Sequence, residues 1–335
     1  MVPQTIVEAP AVAATFMVLT VPEGKQTQAT EVIGNLPSIF RSVEFREPEK
    51  SLNLVVGIGS DFYDRVYEGP RPAHLHPFEE LKGDRHTAPS TPGDLLLHIR
   101  AVRRDVIFEL ADLILREFGD AVEIADSTDG FRYFDDRDLL GFVDGSENPR
   151  GQFADDAVLV GDADPHFAGS SYVIVQKYLH DLDAWRAQSV EAQEDAIGRT
   201  KLENIEFPDD KKAADSHVKL NTIHAPDGRQ LKIVRDNMPF SEFSPNVKGT
   251  YFIGYAADPG VTEQMLRHMF IGNPPGTTDR ILDFSTAKTG CLFFVPTQDF
   301  LDNQPLKGSG AGSGDSGTKA TTEKPAQAAK AGDAS

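Results

Sequence analysis

The stretch TFMVLTV, residues Thr15–Val21, is an unbroken run of apolar and β-branched residues with the length of one buried strand. An amphipathic stretch near Thr27–Ile39 predicts a helix after it, and a second helix is predicted near Arg104–Phe118. The resulting order, β-α-β-β-α-β, is that of a ferredoxin-like unit. The further strands predicted in this half are LNLVVGIGS (52–60), DLLLHIRA (94–101) and DAVEIAD (120–126).

The second half of the chain shows the same alternation of strands and helices. Helices are predicted near Val190–Arg199 and near Thr262–Phe270. We therefore predict an α+β fold of two ferredoxin-like domains, residues 1–138 and residues 139–304. The strands predicted in this half are SYVIVQKYL (171–179), HVKLNTI (217–223), GTYFIGYAA (249–257) and CLFFVP (291–296).

Residues 305–335 differ from both halves in composition. From Lys307 onward the chain contains no aromatic residue and no Val, Ile or Leu. Such a segment buries too little apolar surface to offset the entropy lost on ordering. We therefore predict a disordered C-terminal tail.

Composition excludes several classes of protein. The formal net charge of −19 opposes general binding to a phosphate backbone, so no nucleic-acid partner is expected. The single cysteine, Cys291, excludes an internal disulfide framework and a cysteine-rich metal site. The first residues lack the basic start of a signal peptide, and no apolar run approaches the ~18 residues of a membrane span. We expect a soluble cytoplasmic protein without membrane association.

Two stretches place polar residues where an apolar segment ends or is interrupted. In GFVDGSENPRG (141–151), turn residues fix the backbone immediately after Asp144, and a positioned carboxylate suits general acid–base chemistry. In KIVRDNMPF (232–240), the polar trio Arg235–Asn237, which includes Asp236, lies between apolar residues, where a charge is costly unless it is paired. Arg235 is therefore expected to meet an anion or a ligand.

A third stretch, DSHVKLNTI (215–223), places His217 at the start of an alternating run that we interpret as a strand. Such a histidine is either a hydrogen-bonded core residue or a ligand of a metal or haem. The residues alone leave the reaction unidentified.

Taken together and in this order, GFVDGSENP (141–149), SHVKLNTI (216–223) and RDNMPF (235–240) resemble the dye-decolorising peroxidases, specifically their bacterial B-type subfamily. The resemblance extends from about Ala13 to Leu301. The family signature is Gly-Phe-x-Asp-Gly-Thr-x-Asn-Pro, and this chain differs by Ser146, which keeps the hydroxyl group. The resemblance implies ferredoxin-like halves with antiparallel sheets flanked by helices, of the dimeric α+β barrel type.

The resemblance also implies the cofactor and its ligands. His217 matches the proximal histidine that binds haem iron, and Arg199 matches an arginine that meets a haem propionate. Asp279 matches the carboxylate behind the proximal histidine, although the nearby Asp283 is an alternative. The chain has no Cys-x-x-Cys-His motif, so the haem is expected to be haem b, bound without a covalent link in the second half.

The implied activity is reduction of hydrogen peroxide through an oxoferryl intermediate, followed by one-electron oxidation of dyes, phenols or lignin-like donors. Asp144 and Arg235 match the distal pair of catalytic residues, and Asn237 matches a distal asparagine. Bulky donors cannot reach a buried haem, so we also expect oxidation at the surface through Trp185 or a tyrosine.

The resemblance further implies assembly partners. Family members form homo-oligomers, and many B-type members carry a C-terminal peptide that docks them inside an encapsulin nanocompartment. The end of this tail lacks the apolar docking motif, and only PLKGSG (305–310) is faintly similar to it. Two alternative functions stay open: a haem-handling protein in which peroxidase activity is incidental, and a structural domain without a cofactor.

Overall fold

The computed structural model describes residues 1–8, 11–47, 49, 51–243 and 247–308. Within these residues, one ten-stranded antiparallel sheet runs through both halves of the chain. The strands are β1 (Ala13–Thr20), β2 (Asn53–Gly59), β3 (Leu81–Lys82), β4 (Thr87–Ala88), β5 (Leu95–Ala101), β6 (Glu123–Phe131), β7 (Ser171–His180), β8 (Ile223–His224), β9 (Gln230–Leu231), β10 (Val234–Arg235), β11 (Met238–Glu242), β12 (Val247–Ala256), β13 (Ser285–Ala287) and β14 (Cys291–Val295).

Helices pack against this sheet. The helices are α1 (Gln26–Glu44), α2 (Ser60–Val66), α3 (Arg104–Phe118), α4 (Gln152–Val158), α5 (Leu182–Arg186), α6 (Val190–Ile197), α7 (His217–Asn221), α8 (Pro259–Phe270) and α9 (Gln298–Asp302), with short 3-10 turns at Gly119–Ala121, Pro165–Phe167 and Arg280–Asp283.

The main sheet has the order β10-β12-β7-β14-β2-β5-β1-β6, with β11 added beside β12 and β13 beside β7. The two halves join where β14 pairs with β2, with Phe293 opposite Gly59. At the ends of the sheet, a Cβ atom on Gly130 of β6 would lie only 2.6 Å from the Cβ of Met238 on β11. The sheet therefore curls until its two ends approach each other.

Strand β1 is buried on both of its faces, which explains why its sequence is a continuous apolar run and not an alternating one. Phe16 and Val18 face the interior of the curled sheet, where they pack with residues such as Tyr251 and Tyr255. Met17 and Leu19 face the other way, in the core that includes residues of α1 and α3.

The predicted α+β fold with ferredoxin-like halves is confirmed. One predicted element is wrong: His217 begins the short helix α7 and does not open a strand, and only Ile223–His224 is extended. A five-residue helix is too short to show a helical period, so the alternation of polar and apolar residues there was misleading.

The start of the predicted tail lies against the first half of the chain. The Glu68 amide donates to the Pro305 carbonyl, and the Lys307 amide donates to the Val66 carbonyl, each at 2.9 Å. Residues 309–335, where disorder was predicted, lie outside the described residues. Among the described helices, none combines the length and the apolar character needed to cross a membrane.

Candidate active site

A cavity of about 400 Å³ lies beside β7 and β12, with α7 and α8 contributing to its walls. Four of the residues predicted from sequence line it: Asp144, His217, Arg235 and Asn237. The structure thus brings together three sequence stretches that are far apart in the chain. The remaining wall combines polar and charged residues with an apolar part that includes Leu140, Ile233, Phe252, Met265, Met269 and Ile281.

His217 is held by a buried carboxylate. Its Nδ1 lies 2.7 Å from Oδ2 of Asp279, whose side chain is fully buried. The other oxygen, Oδ1, accepts a hydrogen bond from the Ile281 amide at 3.0 Å, so the carboxylate cannot rotate freely. Burial acts to lower the pKa of His217, but the charge and the hydrogen bond of Asp279 outweigh it and the pKa is raised. Since Nδ1 is bound to Asp279, Nε2 is the nitrogen of His217 that can bind iron.

The alternative carboxylate, Asp283, has other partners. Its Oδ1 lies 2.5 Å from Nη2 of Arg85 and 3.3 Å from Nε2 of His86. Asp279, and not Asp283, therefore contacts His217. Asn221, one helical turn after His217, donates to the His217 carbonyl at 2.8 Å, a contact that the sequence analysis did not anticipate.

Asp144 is fixed by two donors. Its Oδ2 accepts from Nδ2 of Asn237 at 2.9 Å, and its Oδ1 accepts from the Gly145 amide at 2.7 Å. Nη2 of Arg235 lies 4.0 Å from the same Oδ1 atom. Gly145 has a φ of +74°, a backbone conformation that favours glycine. The turn after Asp144 therefore does direct this carboxylate into the cavity.

Asn148 holds the backbone of Arg235 in place. The Arg235 amide donates to Oδ1 of Asn148 at 3.0 Å, and Nδ2 of Asn148 donates to the Arg235 carbonyl at 2.6 Å. Asn237 is oriented in turn, because its Oδ1 accepts from the Ile253 amide of β12 at 3.0 Å. The turn residue Asn148 thus joins residues 141–151 to residues 232–240.

Asp138 also lines the cavity, although it was not among the residues predicted from sequence. Its Oδ1 accepts from the Phe142 amide at 3.0 Å. Burial, followed by the negative charge of Asp144, raises the pKa of Asp138 to about 7. Its position six residues before Asp144, at the start of the preceding turn, was the available signal.

His180 is a second cavity residue that was missed. Its Nδ1 lies 2.8 Å from the Ser285 hydroxyl, and its Nε2 lies 2.9 Å from the Thr250 hydroxyl. Burial lowers the pKa of His180 to about 4, so this ring is neutral at neutral pH.

Arg199 lies immediately behind the cavity wall. Its Nη1 is 3.1 Å from Oε1 of Glu147 and 3.0 Å from Oε2 of Glu206, and both glutamates line the cavity. Burial acts to raise the pKa of Glu147, but Lys232 and Arg199 outweigh it and the pKa is lowered. The role of Arg199 toward a haem propionate stays a prediction.

Trp185 is not a surface residue, so a bulky donor cannot contact it directly, and electron relay to the surface through Trp185 or a tyrosine stays a prediction. The Trp185 side chain is 1% exposed and its Nε1 donates to the Leu140 carbonyl at 2.9 Å. Its ring packs edge-on against Phe142 and Phe284. Since Leu140 lines the cavity, Trp185 supports the cavity wall from behind.

The chemistry of this cavity fits a haem. An imidazole whose second nitrogen is bound to a carboxylate is the usual form of a metal-binding histidine. Apolar walls suit the porphyrin ring, and a carboxylate and a guanidinium over the same cavity suit acid–base chemistry on a small polar molecule.

Comparison with known proteins agrees with this site. Residues 3–132 match the N-terminal family of Dyp-type peroxidases, and residues 135–300 match the C-terminal family. A dye-decolorizing peroxidase from Mycolicibacterium paratuberculosis is 59% identical over 303 residues, which cover 90% of this chain and 86% of that protein.

Solved structures of other proteins are also similar to this chain in sequence and in fold. A variant of DypB from Rhodococcus jostii RHA1 in complex with heme is 54% identical, with a TM-score of 0.88 and coverage of 90% of this chain and 98% of that one. The encapsulated DyP-type peroxidase from Mycobacterium smegmatis is 55% identical, with a TM-score of 0.89 and coverage of 91% and 98%.

The fold and the site are those of a haem-dependent peroxidase. The chain belongs to the Dyp-type peroxidase family. Its likeness to DypB places it in the bacterial B-type subfamily.

Proposed function

We propose that this enzyme reduces hydrogen peroxide at a haem b held without a covalent link in the described cavity, and then oxidises small-molecule donors in one-electron steps. The observation that carries the proposal is the convergence of two sets of side chains on one cavity: the His217–Asp279 pair, and Asp144 with Arg235 and Asn237. Neither a haem store nor a cofactor-free domain requires the second set.

Haem is the cofactor, and when bound it supplies the iron at which the peroxide O–O bond is broken. His217 would bind the iron through Nε2. Asp279 makes the imidazole richer in electrons because it accepts the hydrogen bond from Nδ1, which favours an oxidised iron. Arg199, Lys212 and Lys232 are the cations near the cavity that a propionate would meet, and each is paired with Glu147 or Glu206.

Asp144 moves the proton in this proposal. Its carboxylate accepts the proton from one peroxide oxygen and delivers it to the other, which leaves as water. Arg235 stabilises the negative charge that develops as the bond breaks. Asn237 keeps the carboxylate aimed at the peroxide, since its amide is held by the Ile253 backbone.

The proposed donors are dyes, phenols and lignin-like compounds. Support comes from the resemblance of the sequence and from relatives that are dye-decolorizing peroxidases. The proposed location is the cytoplasm, as a homo-oligomer. Loading into an encapsulin shell is supported by the encapsulated relative from Mycobacterium smegmatis. Co-purification with a shell protein that is lost on deleting residues 306–335 would support shell loading.

The test is an absorption spectrum of the haem-loaded protein before and after one equivalent of peroxide. We expect a rapid change of the haem band in the parent protein, slowed about 100-fold or more in Asp144→Ala and in Arg235→Ala. His217→Ala should disrupt the haem band itself. Asp283→Asn, which changes a carboxylate bound to Arg85 and not to His217, is the control and should react like the parent.

The possible outcomes distinguish the functions. Bound haem whose band is unaffected by peroxide would overturn the peroxidase proposal and favour haem handling. Protein that fails to bind haem at all would favour a structural domain.

A further inference from the structure

Tyr255 and His98 form a hydrogen-bonded pair inside the curled sheet that the proposed peroxidase mechanism does not use. Tyr255 lies on β12, His98 lies on β5, and both side chains are fully buried. The Tyr255 hydroxyl lies 2.8 Å from Nδ1 of His98. The pair is therefore shielded from solvent and has a fixed geometry.

The protonation states follow from burial. Desolvation, followed by the charge of Arg100, holds the pKa of His98 well below its usual range, so the ring is neutral. Burial raises the pKa of Tyr255, so the phenol keeps its proton. A neutral ring that accepts the phenol proton at Nδ1 carries its own proton on Nε2.

The Nε2 atom faces an anion. Oδ2 of Asp236 lies 3.8 Å from Nε2 of His98 and 2.6 Å from Nη1 of Arg100. A proton received from the phenol would make His98 positively charged near this carboxylate, which favours the charged form, whereas burial and the charge of Arg100 oppose it. Tyr255 is thus hydrogen-bonded to His98, whereas Asp236 lies near the ring without a hydrogen bond to it, because Nε2 has no hydrogen-bond partner among the described residues.

The Tyr255–His98 pair lies next to the active site. Asp236 stands between Arg235 and Asn237, which line the cavity, while its own side chain contacts His98 and Arg100. Strand β10 pairs with β12 so that Val234 is opposite Tyr255. The phenol is therefore on the strand adjacent to the distal wall.

We propose that Tyr255 is a redox-active tyrosine that reduces the peroxide-oxidised haem by one electron. As the electron leaves, the phenolic O–H bond breaks and its proton forms an N–H bond at Nδ1 of His98. The products are a neutral tyrosyl radical, a positively charged His98 beside Asp236, and a haem that holds one oxidising equivalent fewer. An electron from a donor molecule later restores the phenol, and the proton returns from His98. This inference rests on the proposed peroxidase function.

Tyr251 provides a matched control in the same strand. It is also fully buried on the interior side and stacks on Phe16, with ring centroids 4.2 Å apart. Among the residues that the structure describes, however, its hydroxyl has no hydrogen-bond partner. Loss of an electron from a phenol is unfavourable when no base takes the proton, so Tyr251 should stay reduced.

The experiment is freeze-quench electron paramagnetic resonance of haem-loaded protein after one equivalent of peroxide, without a donor. The protein carries ring-deuterated tyrosine in one sample and ¹⁵N-histidine in another. We expect a tyrosyl signal that narrows with the deuterated ring and shows coupling to one histidine nitrogen. The signal should fall at least tenfold in Tyr255→Phe and stay within twofold of the parent in Tyr251→Phe.

Suppose that the haem band of the parent changes with peroxide, but the tyrosyl signal is absent or shows no coupling to histidine. That result would overturn this inference and leave the peroxidase function intact. An unchanged haem band would instead count against the peroxidase function. Persistence of the signal in Tyr255→Phe would also overturn the assignment. The histidine coupling is measured in the parent protein, so the test holds even if Tyr255→Phe does not fold.

Discussion

Nδ2 of Asn237 lies 2.9 Å from Oδ2 of Asp144, while Oδ1 of the same amide accepts the Ile253 amide proton at 3.0 Å. The backbone contact decides which end of the Asn237 amide faces Asp144, so the group always presents a donor to the carboxylate. The orientation of Asp144, the proposed proton carrier, thus depends on strand β12, which takes no part in the proposed chemistry.

Replacing Asn237 with Ala should slow the reaction with peroxide. Asp144 would lose the donor that fixes one of its oxygens, and a misdirected acid–base group loses about a tenfold or larger factor in rate. The rate of the haem band change with peroxide measures this directly. Asn303→Ala is the control, because that exposed amide donates to the Asp299 carbonyl and lies outside the cavity lining; an equal slowing in both variants would contradict the assignment.

Replacing Asp279 with Asn should raise the reduction potential of the bound haem. The amide loses the negative charge that favours oxidised iron, and each tenfold loss of this preference corresponds to about 59 mV. Potentiometric titration of the haem-loaded protein would show the shift. Asp283→Asn should leave the potential unchanged, and a similar shift in both variants would argue against a specific effect of Asp279.

Asp138 should make stability depend on pH. Its pKa is about 7 in the folded protein and 3.8 in the absence of the protein environment, so the folded state binds a proton that the unfolded state releases between these values. The stability that this group contributes is present at low pH and is lost as pH rises toward 7.

Asp138→Asn should therefore raise the free energy of unfolding of the haem-loaded protein, relative to the parent, more at pH 8 than at pH 5. The difference between the two pH values should be on the order of 1–3 kcal/mol. Urea unfolding at the two pH values measures the difference. Asp183→Asn, at a fully exposed position, is the control and should show no such change. Equal effects of Asp138→Asn at both pH values would show that the carboxyl does not titrate in this range.

Replacing Trp185 with Phe should reduce stability more than dye turnover. The change removes the hydrogen bond to the Leu140 carbonyl and part of a fully packed ring, which costs about 1–3 kcal/mol. Thermal unfolding measures the loss, and dye turnover at a temperature where both proteins are folded should stay within twofold. A large loss of turnover in a stably folded variant would support electron relay through Trp185.

The sequence was sufficient for the parts of the fold with a long and regular pattern. Strands such as β1 and β7 are buried on both faces, and α3 has a clear amphipathic period, so each could be recognised by itself. Helix α7 could not, because five residues give fewer than two turns and the alternation of His217–Asn221 fits a strand equally well.

The same limit applies to the site. The resemblance of three motifs identified His217, Asp144 and Arg235, which all line one cavity. The choice between Asp279 and Asp283 could not be made from sequence, because it depends on how a distant segment turns behind α7. The pairing of His98 with Tyr255 was also invisible, since 157 residues separate them and no local pattern marks either.

The segment Arg235–Asn237 has two sides with separate tasks. Its first and third residues belong to the cavity, and the middle one, Asp236, belongs to the packing inside the curled sheet. We therefore expect a substitution that repacks the interior near Arg100 to shift the cavity-facing groups, although it is remote from them in sequence. Efforts to stabilise or redesign this enzyme should vary both sides together, because neither can be optimised while the other is held constant.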